Sequence, residues 1–344
     1  MRQMYFIGAD LSKSKVDVYV LDASGIKILH QTVANTLVKL RIFFRTHILK
    51  RYAIEPGQIL VCCENTGIYG RPLENVCLAE GIPLWVENAL RIKRASSQLR
   101  GKSDLLDSQR IAEYALRYQD RKRMVQPEST STKQLRGLLH ARETLTNSIN
   151  RLKVQLDEAC KFDPELYAVL KSSFKRSIQS LKRQLDNVEQ QIHQTLMESQ
   201  ELRSQVDLMR SIPGVGLILS LNLIEATDNF TAFKSPKQLA CHCGVVPFPN
   251  ESGAIVKRAK VSRHANAKLK KLLHMAAMVA IQHNPQLKAY YQRKVAEGKN
   301  KMLVLNAVRN KLIHIIYAVL KRGTPYTKLS PIGAMNQENI LIGA

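Results

Sequence analysis

Four carboxylates in the first third of the chain, Asp10, Glu64, Asp104 and Asp107, have the types and spacing of a divalent-metal site. Asp10 ends an apolar run, Tyr5-Phe6-Ile7-Gly8-Ala9, and Glu64 ends another, Ile59-Leu60-Val61-Cys62-Cys63. An acid at the end of a buried strand is poorly tolerated without a partner. Asp104 and Asp107 share one side of a helical stretch that Ser103 is suited to cap. Acids meeting from two strands and a helix suit magnesium, with manganese as the alternate ion. Such ions polarise a scissile phosphate and stabilise its attacking and leaving oxygens. Taken alone, Asp104 and Asp107 read equally well as acids favoured by the dipole of a first helical turn. The joint pattern with Asp10 and Glu64 is what points to a metal. Asp17, mid-strand, and Asp22, before a turn, are expected to be solvated.

The elements that would carry these acids alternate along residues 1 to about 120. Met4–Ala9, Lys15–Leu21 and Ile26–Val33 read as short strands, with Ser24-Gly25 turning between the second and third. A helical pattern over Leu37–Tyr52 follows, then a strand at Ile59–Cys63, a helix at Arg71–Ala79, a strand at Pro83–Val86 and a helix from Ser103 to about Tyr118. The order β-β-β-α-β-α-β-α is that of an RNase H-like fold.

Gln126-Pro127 and Ser129-Thr130-Ser131-Thr132 read as a linker. Two long helices with heptad seams follow, Leu138, Leu145, Ile149, Leu152 and Leu156 in one and Phe174, Ile178, Leu181, Leu185, Val188 and Ile192 in the other. Asp163-Pro164 separates them. The seam can close within one chain or between chains. Ile212-Pro213-Gly214-Val215-Gly216 fits a helix-hairpin-helix whose backbone N–H groups meet a phosphate, and fits a plain helix–helix turn equally well. Helical patterns then run over Pro236–His242, Ala265–His283, Pro285–Glu297 and Asn300–Lys321. The expected division is an α/β domain at 1–125, a coiled-coil segment at 126–205, a mostly helical domain at 206–330 and a tail at 331–344.

The 344 residues suffice for two domains, and a net charge of +24 calls for a polyanionic partner. Nucleic acid ranks ahead of a membrane surface, because the apolar stretch Met302–Leu320 is interrupted by Arg309 and Lys311. No signal-peptide pattern opens the chain, and the six cysteines lack disulfide-framework spacing, so a cytoplasmic setting is expected. Cys241-His242-Cys243 is too tight for a zinc site and reads as ordinary thiols.

Between Ser252 and Gln337 the sequence has one acid, Glu297, against a long series of bases. Lys257, Arg258, Lys260, Arg263, Lys268, Lys270 and Lys271 are the candidate phosphate contacts. Tyr290, Tyr291 and Tyr326 lie among them as candidate base-stacking residues, while Tyr317 is expected in the core. Ser252 itself, in Pro247-Phe248-Pro249-Asn250-Glu251-Ser252-Gly253, reads as a loop residue.

Five separated segments, Tyr5-Phe-Ile-Gly-Ala-Asp10, Glu64-Asn-Thr-Gly, Lys102-Ser-Asp104-Leu-Leu-Asp107, Ser211-Ile-Pro-Gly-Val-Gly216 and Gly244-Val-Val-Pro247 leading to Glu251-Ser252-Gly253, resemble in order the DEDD transposases of the IS-one-ten family, which includes the Piv DNA invertases. The resemblance implies a RuvC-like domain, a coiled coil and a C-terminal transposase domain. It implies that Asp10, Glu64, Asp104 and Asp107 bind magnesium, and that Ser252 forms a phosphoserine link to DNA. It also implies a guide RNA encoded by the element, donor and target DNA as substrates, and an oligomer, dimer to tetramer, whose active site joins acids of one protomer to the serine of another. Ala254-Ile255 follow Ser252 where some relatives carry further serines, leaving Ser262 as the distant alternative. The competing activity is a RuvC-like junction resolvase or nuclease that uses the same acids with water.

Overall fold

Alternation of apolar residues along Tyr5–Leu11 serves two faces of a sheet at once. The computed structural model describes residues 5–95, 103–127, 129–233, 235–252, 255–261 and 265–327, with 249–252 and 255–260 as backbone. By contacts the chain forms two units, Met1–Glu128 and Ser129–Ala344.

In the first unit, β1 (Tyr5–Leu11), β2 (Lys15–Asp22), β3 (Lys27–Ala34), β4 (Ile59–Glu64) and β5 (Leu84–Glu87) form one sheet in the order β3-β2-β1-β4-β5. β1, β2 and β3 pair antiparallel, while β1, β4 and β5 pair parallel, as an RNase H-like sheet requires. One face packs Ile7, Ala9, Val18, Val61 and Cys63 against α1 (Leu37–Ile42), the turns after it and α2 (Arg71–Ala79). The other face packs Phe6, Tyr19, Leu60, Cys62 and Trp85 against α3 (Ala89–Ala95) and α4 (Asp104–Arg117).

The helix expected over Leu37–Tyr52 is not uniform. After α1 the chain widens into a π-helix, Phe43–Lys50. Phe43 and Phe44 are adjacent and both buried, and the Thr46 hydroxyl donates to the Ile42 carbonyl at 2.6 Å. Two neighbouring rings and a side-chain competitor for the backbone favour the wider turn.

Ser129–Thr132 is not a linker. The Ser129 hydroxyl accepts from Thr132 N at 3.1 Å and caps α5 (Thr130–Phe162). Asp163 then caps α6 (Pro164–Glu198), so one residue turns the chain and the two helices fold back on each other. Arg142 and Glu189 join them at 2.8 Å. α5 and α6 therefore pack on each other within the chain. The expected boundary after residue 205 falls inside α7 (Gln200–Arg210). Leu135 and Leu139 of α5 share one core with α7, α8 (Leu217–Thr227), α9 (Pro236–His242), α10 (Ala267–His283), α11 (Pro285–Ala296) and α12 (Lys301–Arg322).

Gly214 has φ +96°, and a Cβ there would lie 2.4 Å from the Ala276 carbonyl oxygen. Its missing side chain lets α10 seat on the turn, so packing against a helix accounts for this glycine without a phosphate. α12 is long and apolar enough to cross a membrane by length and composition. Leu305, Val308, Leu312, Ile316 and Val319, however, are buried in the core of this unit. A β-hairpin, β6 (Pro247–Ser252) and β7 (Ile255–Val261), stands where a loop is expected, with Ser252 paired to Ile255 at its tip.

Candidate active site

Period-two alternation decides which way the acids face. Phe6, Gly8 and Asp10 share the α4 side of β1, and Leu60, Cys62 and Glu64 share that side of β4. The parallel register pairs Ala9 with Cys63, so Asp10 and Glu64 end neighbouring strands side by side. Open sheets of this type bind ligands at the carboxyl ends of their parallel strands.

α4 brings the acidic pair over this edge. The Ser103 hydroxyl accepts from Leu106 N at 3.3 Å and starts the helix, placing Asp104 and Asp107 in its first turn. The helix descends directly onto β1 at Gly8, where a Cβ would stand 2.1 Å from the Ser108 carbonyl oxygen and 2.3 Å from Ala112 N. Only glycine permits this contact, and small Ser108 and Ala112 complete it. The role of Gly8 is visible only once α4 is in place.

The acids feel one another. Burial raises the pKa of Asp10, and the charges of Asp107, Asp104 and Asp17 raise it further. Burial likewise raises that of Glu64, followed by Asp10 and Asp107. Two internal cations offset part of this charge. Lys15 Nζ lies 2.5 Å from Asp104 and 3.2 Å from Asp17, and Arg110 lies 2.8 Å from Asp107. Among the described residues no three His, Cys, Asp or Glu side chains stand around one point at ligating distance. Lys15 and Arg110 each hold one of the helix acids. The donor chemistry nonetheless fits a hard divalent cation, since the edge gathers carboxylate oxygens whose repulsion such an ion relieves.

Asp17 corrects the expectation of a solvated acid. It sits directly opposite Asp10 across the β1–β2 pair, is 4 % exposed and accepts from the Thr32 hydroxyl. Glu87, absent from the sequence reading, pairs with Glu64 across β4–β5 and is 7 % exposed. Tyr114 donates to it at 3.3 Å and Arg91 approaches to 3.4 Å, which suits a structural acid beside the site. Its position at the end of Leu84-Trp85-Val86 repeats the strand-terminal acid pattern, so the signal was available. Asp22 has the expected turn role, accepting from Ser24 N and Ile26 N.

The remaining predicted residues belong to the second unit. Ser252 is at the tip of the β6–β7 hairpin, and Lys257, Arg258 and Lys260 lie along β7. Arg263 and the alternative Ser262 fall outside the described residues. Lys268, Lys270 and Lys271 open α10. Lys268 pairs with Glu143 at 2.7 Å, so its charge is partly spent within the protein. Tyr317 donates to the Phe233 carbonyl at 3.3 Å and packs in the core as expected. Tyr326 bonds Asn284 at 3.0 Å, and Tyr290 carries Lys311 Nζ 4.6 Å from its ring centre; both are used in packing. Cys243 is buried, as ordinary thiols are.

Residues 206–292 match the profile of the "Transposase IS116/IS110/IS902 family", and residues 7–162 match a second transposase profile, the DEDD type of the IS110 group. The chain belongs to the IS110 family of transposases. Its enzyme class is DNA transposase or recombinase. Among its relatives, the pilin gene-inverting protein of Moraxella bovis is 25 % identical over 335 residues, covering 94 % of this chain and 98 % of that protein. The transposase of insertion element IS1111A from Coxiella burnetii is 28 % identical over 255 residues, covering 65 % of this chain and 68 % of that one. A solved structure, T. thermophilus RuvC in complex with Holliday junction substrate, aligns with 36 % of this chain at 12 % identity and a TM-score of 0.28. That likeness is too slight to carry an argument.

Proposed function

We propose that this transposase is an RNA-guided DNA recombinase that cuts and rejoins strands through a phosphoserine intermediate at Ser252. The observation that supports it is the strand-end register of Asp10 and Glu64 under the first turn of α4, with their charges coupled to Asp107. Asp10, Glu64, Asp104 and Asp107 would hold magnesium, with Lys15 and Arg110 orienting two of them. When bound, the metal supplies neutralising charge for the phosphate and a lower pKa for an attacking hydroxyl.

In the proposed step the Ser252 Oγ–P bond forms as the phosphorus–oxygen bond to the leaving strand breaks. The serine proton passes to water, and the departing sugar oxygen takes one from water, so protons balance. The ester stores the bond, so a DNA hydroxyl can displace the serine without an external energy source. A hairpin tip suits this task, because turns carried on a rigid scaffold commonly hold functional residues. Guide RNA, and an oligomer in which acids and serine come from different protomers, follow from the family resemblance. We place the enzyme in the cytoplasm, acting on donor and target DNA.

The test is S252A with labelled DNA. The wild type is expected to give a covalent protein–DNA adduct and the variant none, and mixing S252A with D10A protomers is expected to restore joining. Vigorous nicking by S252A, with no adduct from the wild type, would assign the attack to water and refute the proposal.

A further inference from the structure

Arg309 of α12 is buried, 7 % exposed, in the helical unit. A guanidinium does not give up its charge, so its burial calls for an anion. Among the described residues Arg309 has no ion pair. Nη2 donates to His274 Nδ1 at 2.9 Å, Nη1 lies 3.4 Å from Asn306 Oδ1, and Nε meets no hydrogen-bond partner. The side-chain oxygen of Asn310, the next residue, is also buried and unmatched. Because arginine can only donate, His274 Nδ1 must accept, and the neutral ring keeps Nε2–H as a donor. Burial and the neighbouring Arg309 charge both lower the His274 pKa, consistent with that neutral form. Neither α10 nor α12 contains an acid, while Lys270, Lys271 and Lys311 flank the cluster in sequence. Among the described residues no acid pairs with Arg309, so the cluster presents a positive charge with no ion-pair partner there.

Its position connects it with the serine hairpin. Asn306 Nδ2 donates to the Val245 carbonyl at 2.7 Å, two residues before β6 begins. From Pro247 to Ser252 an extended strand covers about 17 Å. We propose that Arg309 and His274 form a seat for one phosphodiester oxygen of a nucleic-acid strand, a phosphate flanking the one at Ser252. This rests on the reading that the helical unit grips nucleic acid.

The test uses the full chain, with inorganic phosphate as the first probe. Phosphate should raise the melting temperature of the wild type and leave R309M unmoved. Without phosphate, R309M should melt within a few degrees of the wild type, because the lost hydrogen bonds to His274 and Asn306 are offset by removal of a buried charge that has no ion-pair partner among the described residues. In a second arm, R309M should bind a DNA duplex or an RNA duplex with a flatter log K against log salt. For DNA one lost contact is worth a slope change of about 0.9. The duplex that shows the change identifies the strand. An R309M protein that melts well below wild type while responding equally to phosphate would overturn the proposal, as would unchanged slopes with both duplexes. If R309M does not fold, R309Q takes its place, and failure of both would make Arg309 a structural charge. The phosphate arm requires no catalysis, so its failure is separable from failure of the phosphoserine reading.

Discussion

Gly8→Ala should displace the acidic edge without touching an acid. A Cβ at residue 8 would lie 2.1 Å from the Ser108 carbonyl oxygen and 2.3 Å from Ala112 N, where ordinary contact begins at 3.4 Å. The helix must therefore retreat by about 1.3 Å, the difference between those distances. Both atoms are backbone, so no smaller side chain on α4 offers relief. Overpacking of this kind costs about 1–3 kcal/mol, several degrees of melting temperature for a unit of this size. Because Asp104 and Asp107 ride on the same helix, a shift near 1 Å should also cost about a hundredfold in strand transfer. Trp85, the single tryptophan, is fully buried on the α4 face of the sheet with its ring centre 5.1 Å from that of Tyr114. Its fluorescence reports melting of this unit specifically. Gly137→Ala is the control, since it lies in α5 with open space at its Cβ and should be neutral or stabilising by about 0.5–1 kcal/mol. A G8A protein with wild-type Trp85 melting and wild-type strand transfer would refute the claim that Gly8 sets the height of α4.

Removing one of the coupled acids should stabilise the metal-free protein. Burial raises the Asp10 pKa, and the charges of Asp107, Asp104 and of Asp17 directly opposite raise it further, so D10N should melt higher than the wild type near neutral pH, read by Trp85 fluorescence in chelator. The sign follows from linkage. A folded-state pKa above the unfolded value means the native state binds the proton more tightly, so this stabilisation of the wild type is present at low pH and is lost as pH rises through the folded pKa. The D10N advantage should therefore shrink on mild acidification, and an advantage that grows instead would sink the repulsion argument. Magnesium should raise the wild-type melting temperature and not that of D10N. On the second unit, K270E/K271E should weaken duplex DNA binding and flatten its salt dependence by up to about 2 in slope. K268E should act chiefly on stability, through loss of its Glu143 pair, and a dominant loss of DNA affinity from K268E alone would count against that assignment.

Much of the first unit was legible because its signals are local. Apolar alternation located β1, β2 and β4, Ser103 marked the start of α4, and Arg71–Ala79 matched α2 end to end. Parity along each strand even fixes that Asp10 shares a face with Phe6 and Gly8. The π-helix after α1 escaped, since the periodicity of an α-helix and of a slightly wider one differ little over so short a stretch. In sequence the Ser129 cap looks the same as a linker, because serines and threonines favour both contexts. The β6–β7 hairpin was hidden by its prolines and charges.

The sequence by itself determined which acids end strands, that Ser252 follows a proline-rich segment, and that the last third of the chain is almost purely basic. Each is a property of neighbours along the chain. Tertiary structure alone decided that Asp17 is buried opposite Asp10, that Glu87 joins the same edge, that Lys15 reaches Asp104, and that Gly8 admits α4. It also left Arg309 buried with no ion-pair partner among the described residues. Those outcomes depend on strand register and on how closely helices approach, and these are set by the packing of residues far apart in sequence, which no local pattern encodes.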